Sequence, residues 1–547
     1  MNRFTEAFAN MSDRAKTRWV TMLCLAWIIP GLLGHQPWKP DEAYSFGIVY
    51  HFFKGGDWIV PTLAGEPFME KPPLYFLLAA LFAKLLSPLF SLHDAARLTT
   101  GLCMALTFAF TGLAGRELWG RNQGRISVLL MIGCLGLLVR AHEMITDMAL
   151  LAGFAIATYG LTLSRRLPLV AGLWLGTGVG IGFMSKGLIA PGILGLSAAL
   201  LPLFNNAWRT RDYLRCLGTA MLATLPWLLV WPLLLYFRAP ELFNEWLWVN
   251  NLGRFLGTAR LGPQSDHWFY FANLPWYAWP ALPIALWAAW REKLHRPEMQ
   301  LPAIVFLVML AALSAASDAR ELYALPMLVP LALLATPGID TLRRGAANAL
   351  NWFGIMTFGF FSGLLWFFWF ALMTGHPVRN YEHLLEMQPG YTPEFVPLAF
   401  SAAATYTLAW LTTLVLTRKL PRGRRAIVNW SSGITLLWGI AATICLPWLD
   451  AGKSYQSMMT SLQQSLPTQY RCMASDNLGE PQRAMLHYYT DVVTRRSRNS
   501  AKEECDLLLV QGGTDHPQEP PPGWIELWEG ARPGDRSERY WLFQRAP

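Results

Sequence analysis

Acidic and basic residues gather where apolar runs of this chain end. The strongest signal is Trp38-Lys-Pro-Asp41-Glu42-Ala-Tyr44, two adjacent carboxylates directly after an apolar run. A carboxylate there can take a proton from an attacking hydroxyl or orient the group that attacks. An isolated acidic pair is more often a solvated loop end, but the neighbourhood argues for chemistry. Glu66-Pro-Phe-Met-Glu70-Lys71-Pro-Pro-Leu-Tyr75 follows, and Arg140-Ala-His142-Glu143-Met-Ile-Thr-Asp147 sets another carboxylate at the mouth of a later run. Ionisable groups at membrane depth are costly and mark functional sites. His142 and Glu143 make no zinc motif, because no second histidine follows at helical spacing.

The elements that must position these residues are apolar. Of 547 residues 53% are hydrophobic and 15% charged, against about 25% charged in a soluble protein. The 26 tryptophans suit long interfaces, where amphipathic rings prefer the headgroup level. A net charge of +9 invites a nucleic-acid reading, but the basic residues fall in short clusters between apolar runs, the pattern of inner membrane loops. No small-residue cleavage site follows the polar stretch 1–18, which predicts a retained first helix. Five of the seven cysteines lie in or beside apolar runs; Cys472 and Cys505 lie in a polar tail, where an oxidising compartment allows a disulfide.

Apolar runs near 18–34, 98–115, 126–140, 148–163, 168–184, 188–204, 216–236, 276–290, 301–316, 321–336, 350–373, 394–417 and 428–448 predict thirteen spans. Basic clusters at 14–18, 116–125, 165–166, 209–215, 291–296, 343–344 and 418–425 set the parity. All of them lie inside if the run 74–90, bounded by Pro72-Pro73 and Pro88 and interrupted by Lys84, is an interfacial helix within an outer loop 35–97. The expected fold is a membrane all-α domain, 1–448, with outer-face interfacial helices. A small soluble α/β domain, 449–547, follows on the outer side. The long outer loops, 35–97 and 237–275, point the active face outward. In the tail, a helix over 454–466, strands at 506–510, 524–528 and 539–543, and a loop at 517–522 are predicted.

This recurrence resembles the GT-C superfamily of polyprenyl-phosphate-sugar glycosyltransferases, and within it the branch of the lipid A aminoarabinose transferases and protein O-mannosyltransferases. The residues that carry the resemblance are Pro-Asp41-Glu42, Glu70-Lys71-Pro-Pro-Leu, Asp147, Gly182-Phe-Met-Ser-Lys186-Gly187 and Arg320-Glu321-Leu-Tyr323-Ala-Leu-Pro326. Each motif alone is weak; five in order on one face are fairly specific. The resemblance implies Asp41 and Asp147 as essential acidic positions, with Glu42 beside Asp41 in the catalytic set. It implies Lys71, Lys186, Tyr323 and Arg320 around the donor phosphate, and Glu70 with His267 as a pair for a divalent metal, zinc or magnesium/manganese. One departure is plain: where the aminoarabinose branch has an arginine soon after Asp-Glu, this chain has Ala43, Tyr44 and Ser45. That leaves the sugar and the acceptor open.

A physical argument runs beside the resemblance. On the outer face there are no nucleotide sugars, so an activated sugar must arrive attached to the membrane. A polyprenyl phosphate delivers it, with an already charged leaving group for Lys71 to meet and an acceptor proton for Asp41 or Asp147 to take. The expected activity is inverting transfer from an undecaprenyl-phosphate-type donor to lipid A or another glycolipid, in the bacterial inner membrane. Protein O-glycosylation is the alternative acceptor class. A transporter is the alternative of a different kind; it predicts internal repeats and charges near the midplane, whereas here the charges sit at helix ends.

Overall fold

The computed structural model describes residues 5–6, 10–138, 140–258, 266–292, 294–316, 318–496, 504–513 and 518–546. Lys293 of the inner basic clusters and Pro517 of the expected tail loop lie outside the described residues. The helices in chain order are α1 (Asp13–Ile28), α2 (Asp41–Phe53), α3 (Leu74–Leu86), α4 (Leu92–Trp119), α5 (Gly124–Gly133), α6 (Asp147–Leu163) and α7 (Pro168–Lys186). They continue with α8 (Ile189–Phe204), α9 (Arg211–Arg238), α10 (Phe269–Tyr277), α11 (Ala281–Arg291), α12 (Pro297–Ala315), α13 (Leu328–Thr341) and α14 (Arg344–Thr374). The last six are α15 (Val378–Met387), α16 (Pro397–Leu416), α17 (Arg422–Ala441), α18 (Leu446–Lys453), α19 (Gln456–Gln464) and α20 (Glu480–Thr490). Between α9 and α10 the short helical pieces Pro240–Asn244 and Arg254–Leu256 flank a π-helix, Glu245–Gly253.

Every apolar run of the sequence becomes helix, but not every helix is long enough to cross a membrane by itself. Among the described residues seven are long and apolar enough, or up to nine if two bent pairs each count as one span. The bends are 68° between α5 and the turns that follow it, and 67° between α17 and α18. Four of the thirteen expected spans fall outside that count for local reasons. Helices α1, α6 and α8 have 16, 17 and 16 residues. The run 276–290 is divided at Ala278–Pro280 into α10 and α11. The 74–90 run forms α3 and stops at Leu86, just before Ser87 and Pro88.

Helices α6 and α13 lie at the centre and are buried almost throughout, whereas α14 and α16 keep most of their apolar surface exposed. An apolar face left outside is what a lipid-facing helix requires. The inner pair α6 and α7 packs closely through small residues: a Cβ on Gly153 would run into the backbone at Gly178 and Gly182. Close backbone approach of this kind replaces the hydrophobic drive that is missing between helices in lipid.

The tail holds a five-stranded sheet. In sequence, the two-residue strands β1 (Thr62–Leu63) and β2 (Glu66–Pro67) make a small hairpin ahead of Lys71. The tail strands are β3 (Met473–Asp476), β4 (Arg495–Arg496), β5 (Leu507–Gly512), β6 (Trp524–Gly530) and β7 (Arg539–Arg545). Strands β4, β3 and β5 run parallel, and β7 pairs antiparallel with both β5 and β6. The three strands expected from sequence are present; β3, β4 and α20 add to them.

The tail is fastened to the first long loop. Glu66 forms ion pairs with Arg483 and Arg496, each at 2.9 Å, and the Tyr489 hydroxyl donates to Gln36 Oε1 at 2.8 Å. Lys39 pairs with Asp535 at 3.3 Å. Burial resists the charge of Asp535, but Ser537, Arg532 and Lys39 outweigh it and bring its pKa down to about 2. Cys472 and Cys505, 33 residues apart, are joined in a disulfide. Breaking it in the Cys505→Ser variant is expected to cost the tail about 2–4 kcal/mol. The check is tail-specific proteolysis: faster cleavage in the variant, and in the wild type after reduction.

Candidate functional site

The first two acidic residues stand at a helix start. Asp41 and Glu42 form the first turn of α2, and Asp147 opens α6. Free backbone N–H groups at a helix N-terminus favour negative charge there. Lys186 closes α7, where the helix dipole favours a cation. Gly187 ends that helix at φ +67°, and a side chain there would also strike Asn251. Only glycine satisfies both constraints.

Asp41 and its neighbour have different surroundings. The Glu42 carboxylate is buried, accepting from Arg97 Nε at 2.6 Å, Trp38 N at 3.0 Å and Met144 N at 3.2 Å. Arg97 is wholly buried as well and spends its other donors on Asp94 Oδ1 at 2.7 Å and on the carbonyls of Leu32 and His35, each at 3.1 Å, and of Gln36 at 3.4 Å. Glu42 thereby ties the segment before Asp41 to the segment that leads into Asp147. Asp41 lies 3.7 Å from Arg140, which also donates to Glu143 at 2.9 Å.

The expected phosphate-binding residues come together around Asp147. Lys186 Nζ donates to Asp147 Oδ1 and lies 3.8 Å from the centre of the Tyr323 ring. A cation held over an aromatic face gains about 0.5–2 kcal/mol. Asp147 is fully buried, and its Oδ2 has no hydrogen-bond partner among the described residues. Lys71 Nζ donates to the Tyr44 hydroxyl at 2.5 Å and lies within electrostatic reach of both Asp147 and Asp41. Burial works against its charge, yet Tyr44 and the two carboxylates outweigh that and raise its pKa above the ordinary lysine range. Lys186 in turn has Lys71 and Arg254 as electrostatic neighbours.

Arg254 is a cation that sequence reasoning missed. The π-helix Glu245–Gly253 delivers it: Asn251 Nδ2 donates to Trp246 O at 2.8 Å and Asn251 Oδ1 accepts from Leu188 N at 3.3 Å, which fixes this segment against the end of α7. Arg254 donates to Asp318 at 2.8 Å and meets Glu70 at 3.5 Å. Arg320 reaches Asp318 at 3.7 Å and interacts with Asp41 over a longer distance. The signal that could have found Arg254 is its place in the long loop 237–275. For Asp318 it is the position two residues before Arg320.

The two residues expected to hold a metal, Glu70 and His267, each have another partner. Glu70 faces the Arg254 guanidinium, and His267 Nδ1 bonds to Ser314 O at 2.7 Å. Among the described residues no group of three or more His, Cys, Asp or Glu is arranged to hold a metal. Glu70 is committed to an arginine, and two ligands fall short of the three or more protein groups that hold a divalent cation.

Arg97 gives this arrangement a direct test. Arg97→Met leaves the Glu42 carboxylate buried without its partner and should cost about 3–5 kcal/mol. Adding Glu42→Gln in the same chain should return part of that loss, read as the thermal midpoint of the detergent-solubilised protein.

Comparison with known proteins adds a domain match and a fold. Residues 70–236 match the family described as dolichyl-phosphate-mannose-protein mannosyltransferase. The chain is 30% identical over 358 residues to an undecaprenyl phosphate-alpha-4-amino-4-deoxy-L-arabinose arabinosyl transferase of Pseudomonas aeruginosa, covering 61% of each chain. It is 30% identical over 333 residues to the transferase of that name from Serratia proteamaculans, covering 58% of this chain and 59% of the relative. The match thus spans about three-fifths of the length of these curated relatives. ArnT from Cupriavidus metallidurans bound to undecaprenyl phosphate superposes with a TM-score of 0.69 at 16% identity, over 96% of this chain and 97% of that one. At that identity the likeness is one of fold.

Proposed function

We propose that this chain, which has the fold of the GT-C glycosyltransferases and a mannosyltransferase-family domain over 70–236, is an inverting glycosyltransferase. Its donor is an undecaprenyl-phosphate-linked sugar and its acceptor lipid A or another glycolipid. The observation that carries the reading is a cluster of cations around carboxylates: Lys186 on Asp147 and over the Tyr323 ring, Lys71 within electrostatic reach of Asp147 and Asp41, and Arg254 and Arg320 on Asp318. A dianionic or monoanionic phosphate needs such a group of cations, and a hydroxyl nucleophile needs a carboxylate close by.

The reaction follows from the roles. The acceptor hydroxyl oxygen attacks the anomeric carbon as the bond from that carbon to the phosphate oxygen breaks. The phosphate leaves with the bonding electron pair and is stabilised by Lys71, Lys186 and Arg254. The hydroxyl proton passes to Asp41. Asp147 holds Lys186 in place and offers Oδ2 to the substrate. Glu42 acts through position: buried on Arg97, it sets Asp41 relative to the segment that carries Asp147. No step runs through a metal.

The same reading sets the chain in the bacterial inner membrane with thirteen spans, the N-terminus inside, and the active face outside. It divides the chain into a membrane domain, 1–448, and a periplasmic domain, 449–547. The disulfide in the tail supports that side, since such bonds persist in oxidising compartments. The names of the relatives make the aminoarabinose-carrying lipid the first donor to try. The mannosyltransferase-family match keeps a protein acceptor as the second arm.

Transfer from radiolabelled undecaprenyl-phosphate sugars in membranes tests the reading. Asp41→Asn should lower transfer by about 10²–10⁴-fold and Lys71→Ala by about 10²–10³-fold, with both proteins folded; unchanged transfer in both sinks it. Because the Lys71 pKa is raised, the ammonium is charged below that value and is lost only as pH rises through it. Donor binding should therefore stay flat on its account from about pH 6 to 10, measured as donor KM.

A further inference from the structure

Lys186 meets a carboxylate directly, whereas the hydrogen bond of Lys71 among the described residues goes to a neutral group, the Tyr44 hydroxyl, at 2.5 Å. Tyr44 stands three residues after Asp41 in α2, and so on the same helix face. Its ring is half-buried and packs on Phe68, in the loop that bears Lys71, at 5.8 Å between centroids and 27° between planes. The Lys71 ammonium lies 5.1 Å from the centre of the same ring. These contacts join the helix face that carries Asp41, assigned to the acceptor proton, to the lysine assigned to the donor phosphate.

The direction of that hydrogen bond leaves a donor over. An ammonium can only donate, so Lys71 gives the proton and the Tyr44 oxygen accepts it. The hydroxyl's own proton has no acceptor among the described residues. Burial raises the phenol pKa above its ordinary value against the pull of Lys71, which keeps that proton on the oxygen. Packing on Phe68 accounts for the ring, and phenylalanine would pack there as well. Anchoring Lys71 accounts for the oxygen and leaves the proton unused. A phosphate oxygen paired with the Lys71 ammonium at about 2.8 Å can sit within hydrogen-bond distance of a hydroxyl 2.5 Å from the same nitrogen.

We propose that Tyr44 is a substrate-binding residue of the transferase site, donating its hydroxyl hydrogen bond to a phosphate oxygen of the lipid-linked donor beside Lys71. The inference rests on the transferase reading above and adds a neutral donor to its cations. The hydroxyl keeps its proton throughout. As the bond from the anomeric carbon to the phosphate oxygen breaks, the electron pair stays with the phosphate, and a donor already in place meets the charge that grows there. The phosphate is then gripped by two groups that touch each other, one of them on the helix that carries Asp41.

The experiment uses the full-length chain, with Tyr44→Phe and Lys71→Ala made singly and together. Binding of undecaprenyl phosphate is measured in detergent, and transfer in membranes. Tyr44→Phe keeps the ring on Phe68, so its thermal midpoint should match that of wild type. Loss of a hydrogen bond to a charged group should weaken undecaprenyl phosphate binding about tenfold to a hundredfold, with donor KM rising and acceptor KM unchanged. Adding Tyr44→Phe to Lys71→Ala should weaken binding further, because the hydroxyl reaches the phosphate by itself. Binding within about twofold of wild type in Tyr44→Phe overturns the inference. So does an effect that vanishes in the Lys71→Ala chain, since Tyr44 then does no more than anchor Lys71. If wild type itself neither binds undecaprenyl phosphate nor transfers from its sugars, the transferase reading fails and takes this inference with it.

Discussion

Everything in the site is arranged around a charge pair that never meets solvent. Arg97 and Glu42 are both buried, and an unpaired charge at that depth is strongly unfavourable. The pair survives because each group is saturated: Arg97 by Glu42, Asp94 and three carbonyls, Glu42 by Arg97 and two backbone N–H groups. Those backbone partners belong to different stretches of chain. Trp38 precedes the first carboxylate and Met144 precedes the second. A buried pair of this kind adds little net stability but tolerates few alternative geometries. Its work here is to fix where two distant loops stand relative to each other.

Around that joint the charges sort by helix polarity. Asp41 and Asp147 stand at N-termini and Lys186 at a C-terminus, so each is favoured by the helix it belongs to before it meets any partner. Arg254 and Asp318 come from two further segments and close the ring. The result is a set of cations neutralised by carboxylates in the absence of substrate. In the proposed reaction an incoming phosphate exchanges one anionic partner for another and requires no new burial of charge.

Much of this was legible in the sequence, for reasons that differ by residue. Apolar runs must become helices in lipid, since every backbone group has to be satisfied within the segment. Charges at their ends are therefore visible as exceptions, which is how Asp41, Lys71, Asp147 and Lys186 could be picked out. Glu42 was picked out with them because adjacency in sequence says nothing of direction: successive helix residues point about 100° apart, and Glu42 turns inward to Arg97. Arg97 itself was hidden beside the apolar run 98–115, where a single charge reads as a helix boundary. Arg254 depends on a π-helix, a feature with no pattern in sequence. The span count went further than helix length alone supports, because Pro280 and the short helices α1, α6 and α8 interrupt or shorten runs that hydropathy sees as continuous. In the tail, alternating strands were readable, while the two-residue β4 and the helix α20 were too short or too polar to stand out.

The contact between Glu66 and the two tail arginines has a consequence for biosynthesis. The hairpin that sets Lys71 in place is made early, and the residues that fasten it are made after nearly all the helices. A ribosome-bound chain therefore holds its cationic loop unfastened until the last strands have been made and folded. Assembly order is thereby built into the fold: the loop that carries Lys71 is clasped only after the tail sheet has formed.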